Sequence, residues 1–96
     1  TLCRQVACQF FESALIHRKS IYFYQKCLAV TLKSNDVEGE MGTNAALGTA
    51  HESLGQIKVA INFHERQLEV AQQCGHEQQV TMASTSLINV YRYVNT

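Results

Sequence analysis

Four cysteines, four histidines and eight Asp or Glu residues are the groups in this 96-residue chain whose types could support chemistry. Cys3, Cys8, Cys27 and Cys74 are separated by four, eighteen and forty-six residues, so no CxxC pair offers a zinc or dithiol redox site. Reduced thiols packing as small hydrophobes are the expected state. Cys74 and His76 are near enough in sequence for a thiolate–imidazole pair, yet two positions apart at a helix end rarely point into hydrogen-bond reach. Glu12 and Glu52 resemble two catalytic carboxylates, but their separation of forty residues is also the period of an internal repeat, which explains them better as one polar surface position used twice. No catalytic residue is assigned, and the chain reads as non-enzymatic with no cofactor and no metal.

Composition narrows the partners. Apolar residues make up 46% of the chain and the formal net charge is zero. Residues 1–40 carry five Lys/Arg against four Asp/Glu, and residues 41–96 carry three against four. No basic stripe follows a nucleic-acid backbone or an anionic membrane. No apolar run approaches the roughly 18 residues of a membrane span, and TLCRQVACQF lacks the features of a signal peptide. A cytoplasmic, soluble protein is the expectation. The start at Thr1 and the stop at Thr96 inside a periodic segment suggest a piece of a longer protein, and a chain this short buries only about 60–65% of its unfolded surface if it stands alone.

The elements that would position these groups are helices. There is no proline, and the breakers gather at Asn35-Asp36, Gly39, Gly55 and Gly75. Ala46, Leu47, Ala50 and Leu54 follow helical spacing, as do Ile57, Ala60, Ile61, Leu68 and Ala71. Shifting the sequence by forty sets FFESALIHRKSIYFYQKCLAVTLKSND over AHESLGQIKVAINFHERQLEVAQQCGH, pairing Ser13 with Ser53, Ile21 with Ile61, Phe23 with Phe63, Leu28 with Leu68 and Val30 with Val70. The same shift places Leu87 under Leu47, Tyr91 under His51 and Val94 under Leu54. One domain, 1–96, is expected, with repeats at about 1–36 and 37–76 and a partial one at 77–96. Helices are expected near 2–15, 18–33, 38–54, 57–73 and 77–94. At Leu15-Ile16-His17 the first copy lacks the glycine that the second has at Gly55, and one long helix over 2–33 stays open as the alternative.

Asn44, Leu47-Gly48, His51, Ala60, His64 and Gln67, with Leu54-Gly55 between them, resemble the signature of the tetratricopeptide repeat. The forty-residue period and the "NDVEGE" connection are similar to the longer repeats of G-protein-signalling modulators and kinesin light chains. The resemblance implies an all-α solenoid of stacked antiparallel helical hairpins, about two and a half repeats, with a concave binding face. It implies that Gly48 and Ala60 let neighbouring helices approach closely, and that Gly55 relieves the turn. Its departures restrict the ligand. His51, His64 and Gln67 stand for two aromatics and an alanine; Ala7-Cys8 and Leu87-Ile88 stand for Leu-Gly; Ala46 and Thr49 stand where modulators carry peptide-binding Asn, with Asn89 alone retaining one. Gln5, Gln9, Ala46, Met82 and Ser86 do not form a carboxylate clamp.

Carried over by position, the concave lining is Gln5, Gln9 and Glu12, then Ala45, Thr49 and Glu52, then Thr85, Asn89 and Arg92. That amide-rich set suits a peptide backbone or a helix of another protein. The leading expectation is thus an adaptor segment binding a protein or peptide. A regulatory or oligomerisation segment of a larger enzyme or motor is the second, with self-association through open repeat ends near Tyr91 and Tyr93. The third is a small metal-binding helical protein, because the implied packing brings His51 and His64 together, with Cys8 or Cys27 nearby; the plainer reading is two histidines filling aromatic space. The aromatic runs at 10–11 and 22–24 are expected chiefly as core, with a partner-helix groove as the alternative.

Overall fold

The computed structural model describes the backbone of residues 2–94 and the side chains of residues 14–94. Four helices follow one another: α1 (Leu2–Lys33), α2 (Val37–Ser53), α3 (Ile57–Cys74) and α4 (Glu77–Val94). No strand occurs among the described residues. Each helix packs on the next in the chain, and α2 also touches α4, the arrangement of a stack of helical hairpins.

Three turns join the helices, and they are the same turn. Positive φ occurs at Asn35 (56°), Gly55 (77°) and Gly75 (69°), at intervals of twenty residues. Beyond each, an amide donates back to the carbonyl five residues earlier: Asp36 to Thr31, Gln56 to His51 and His76 to Ala71, all at 2.9 Å. This six-to-one closure satisfies a carbonyl that the helix end would orphan, and only glycine or asparagine enters the left-handed region at low cost. Asp36 then caps α2, its Oδ1 accepting from the Gly39 amide at 2.9 Å. A side chain at Gly39 would collide with the Asp36 carboxyl and with Thr31 Cγ2.

The same twenty-residue interval points to Leu15 as the place for a fourth turn. None forms there: α1 runs unbroken through 32 residues, about 48 Å at 1.5 Å per residue, where a break at Leu15-Ile16-His17 is the sequence expectation. A leucine pays roughly 1–2 kcal/mol for the left-handed conformation that Gly55 takes freely, so helix continuation wins. The longest dimension of the molecule, 52 Å, matches this helix.

Two apolar clusters hold the stack. Ile21, Leu47 and Ala50 pack with Tyr24, Leu28, Leu54 and Phe63, joining α1, α2 and α3. Met41, Val70 and Ala71 pack with Val80, joining α2, α3 and α4. An ion pair from Arg66 to Glu40 at 3.2 Å ties α3 to α2 beside the second cluster. Charge is divided along the chain. Residues 14–33 carry Arg18, Lys19, Lys26 and Lys33 and no carboxylate, whereas residues 34–94 carry seven carboxylates against three basic residues.

Candidate functional site

The signature residues of the second repeat meet at the α2–α3 contact. Leu47 and Ala60 are fully buried and His64 is 1% exposed. A Cβ on Gly48 would lie 2.6 Å from both Cε1 and Nε2 of His64. Gly48 therefore makes room for the His64 ring rather than for the backbone of α3, which refines the expected reason for a small residue there. His64 Nδ1 lies 3.4 Å from Gln67 Oε1, and Gln67 Nε2 donates to Gln79 Oε1 at 2.9 Å, so a short polar chain runs from α3 into α4. One row toward the turn, His51 stacks on Phe63 with centroids 5.3 Å apart and planes 12° from parallel. Its Nδ1 lies 2.6 Å from Gln56 Oε1, across the Gly55 turn.

His51 is thus a flat ring stacked on Phe63, and His64 a ring filling the space left by Gly48. Among the described residues no group of three or more His, Cys, Asp or Glu comes together, around these rings or elsewhere. His51 and His64 each have an amide partner of their own, Gln56 and Gln67, and Cys27 is half-buried on α1. Cys8 lies outside the residues whose side chains are described.

Beside this packed layer lies an open groove of about 840 Å³. Ala14, His17 and Arg18 of α1 form one wall, Thr49, Glu52 and Ser53 of α2 the floor, Leu54 to Ile57 the turn end, and Tyr93 of α4 the far side. Thr49 and Glu52 are the two predicted lining residues that the fold brings into it. Thr85, Asn89 and Arg92 are exposed on α4 outside the groove. Gln5, Gln9 and Glu12 lie on α1 outside the residues whose side chains are described. Sequence position alone did not single out Arg18, His17 and Gln56; the packing of α1 on α2 brings the first two to the wall.

The groove is chemically mixed. The two ion pairs found among the described residues both belong to Arg66, so Arg18 and Glu52 form none with any described residue. The Thr49 hydroxyl donates to the Ala45 carbonyl at 3.0 Å and keeps its lone pairs for an incoming donor. A guanidinium on one wall and a carboxylate on the floor can bind a segment offering groups of both signs along an extended or helical backbone.

No protein-family model and no curated protein matches this chain. Among the described residues no helix is long and apolar enough to cross a membrane.

Proposed function

We propose that the chain is a non-enzymatic, intracellular protein-interaction segment of the tetratricopeptide-like kind, an adaptor that takes a peptide or helix of another protein into the groove between α1, α2 and α4. The observation that carries this reading is the position of Thr49 and Glu52. They come from the helix that the repeat pattern assigns to the concave face, and they form the floor of a groove whose wall adds Arg18. The stacked-hairpin fold and the signature packing of Leu47, Gly48, His64 and Ala60 support it.

The test is selection of peptides from a displayed library on residues 1–96, followed by titration of enriched peptides against Glu52→Lys and Arg18→Glu. A loss of about tenfold or more in affinity, equivalent to 1.4 kcal/mol, is expected in each variant at unchanged helicity. Peptides that bind both variants as tightly as the parent chain would place binding elsewhere and remove the groove from the proposal. A second reading, an oligomerisation segment, is favoured by the exposed apolar face of α1, where Ile16, Phe23 and Val30 are each more than 60% exposed.

A further inference from the structure

The forty-residue repeat allows α1 to be compared with α3 position by position, and the two differ in what covers them. On α3, Val70 is 4% exposed and packs with Met41 of α2, Phe63 stacks on His51 of α2, and His64 is sealed against Gly48 of α2. Their counterparts on α1 are Val30, 65% exposed, Phe23, 62% exposed, and Tyr24, half-buried. The face of α3 that receives the preceding helix of its hairpin is, on α1, bare at Phe23 and Val30, while Tyr24 turns into the cluster with Ile21, Leu47 and Ala50.

In the repeat pattern the helix that belongs on that face is residues 2–15. The turn that would fold it back is missing at Leu15, and α1 carries those residues straight on, away from Phe23 and Val30. A chain whose own segment cannot reach a face built for it has one self-complementary solution, which is exchange of that segment with a second copy. We propose that the uncovered face of α1 is occupied by residues 2–15 of a second copy of this chain. Two α1 helices then lie antiparallel about a two-fold axis near Ile16, each completing the other's first hairpin.

Charge is compatible with this pairing. Residues 18–33 carry four basic groups, while residues 2–15 carry Arg4 and Glu12 and are neutral overall, so no basic row faces another. The repeat also supplies the register. His51 lies over Phe63, and forty residues earlier these positions are Phe11 and Phe23, which makes an aromatic pair between copies the expected centre of each half-interface. This inference rests on the uncovered face and the straight helix, and is independent of the groove.

Two measurements test it. Sedimentation equilibrium of the chain is expected to give twice the chain mass, and Leu15→Gly, which restores the residue type found at Gly55, is expected to shift the population toward monomer without loss of helicity. In a background with the four native cysteines replaced by serine, Phe11→Cys with Phe23→Cys is then oxidised. Within one straight helix these positions are about 18 Å apart, beyond the roughly 7 Å limit between Cα atoms for a disulfide. A bond that joins two chains is the expected product. A monomeric parent chain, a bond within one chain, or a dimer that forms no bond between these positions would each overturn the proposal.

Discussion

Gly48 and Gly55 are seven residues apart and serve different physical ends. At Gly55 an added Cβ meets nothing within 4 Å, and the constraint is the φ of +77°. At Gly48 the backbone is ordinary helix and the constraint is the imidazole of His64. Gly55→Ala is therefore expected to cost about 1–2 kcal/mol through backbone strain alone, with no dependence on its neighbours. Gly48→Ala is expected to cost about 1–3 kcal/mol by overpacking, because a ring that is 1% exposed has nowhere to turn. His64→Ala combined with Gly48→Ala separates the two cases: thermal denaturation of the four-member cycle is expected to show that most of the Gly48→Ala penalty vanishes in the His64→Ala background. Additive penalties would mean that the ring is not the obstacle. Ala60→Leu, at a fully buried position, is expected to destabilise by a similar roughly 1–3 kcal/mol, and an unchanged melting temperature would refute the register of the hairpin.

A residue-scale prediction at the far end of the stack concerns Tyr91. Its phenol donates to Glu65 Oε1 at 3.1 Å, and that hydrogen bond, followed by desolvation and the carboxylate charge, raises its pKa above the ordinary 10.0. The folded state therefore holds this proton longer than the unfolded chain does. The stabilisation from the contact is full below the unfolded pKa and is lost as pH rises through the folded one. In an alkaline titration of phenolate absorbance, Tyr91 is expected to ionise later than a free tyrosine, and Glu65→Gln is expected to bring it earlier; an indifferent Glu65→Gln would disprove the assignment.

At the scale of the element, the helices α2, α3 and α4 were legible because their ends are written in residue types. Asn35, Gly55 and Gly75 supply the left-handed positions, Asp36 caps α2 and His76 Nδ1 accepts from the Gln79 amide at the start of α4, and the expected boundaries fall within a residue or two of those observed. The uncertain element was the first, and the uncertainty had a physical source: Leu15 offers neither glycine nor asparagine to a turn, while nothing at Ile16-His17 forbids it. Of the candidate lining, Thr49 and Glu52 were placed by position through the resemblance to the tetratricopeptide repeat. The neighbours that make them a groove were not, because Arg18 and His17 reach it through the packing of α1 on α2, and Tyr93 through how α4 returns past α2. The aromatic run at 22–24 divides in a way that pattern did not resolve: Tyr24 packs on the core, whereas Tyr22 and Phe23 are 61% and 62% exposed.

At the scale of the whole molecule, a stack of this kind contributes stability through nearest-neighbour contacts, and each helix is only as buried as its two neighbours make it. The helix α3, between α2 and α4, contains five buried residues, among them His64 and Gln67; α1 has a neighbour on one side only. Loss of the α3–α4 polar chain should consequently loosen the C-terminal hairpin before the rest. Gln79→Ala, which leaves Gln67 Nε2 without its acceptor, is expected to cost about 1–3 kcal/mol. Hydrogen exchange is expected to accelerate first in α4, and uniform acceleration across all four helices would contradict a nearest-neighbour stack.

The separation of charge between α1 and the remaining helices has an electrical consequence that a net charge of zero conceals. Four unbalanced positive groups lie along residues 14–33 and an excess of four negative groups lies in residues 34–94, so a single copy has a permanent dipole directed across the stack. It should bind weakly to cation and anion exchangers alike, with its elution governed by orientation more than by isoelectric point. Any two-fold pairing cancels the components of that dipole perpendicular to the axis. The response of the protein to an applied field would then report whether it exists as one copy or two.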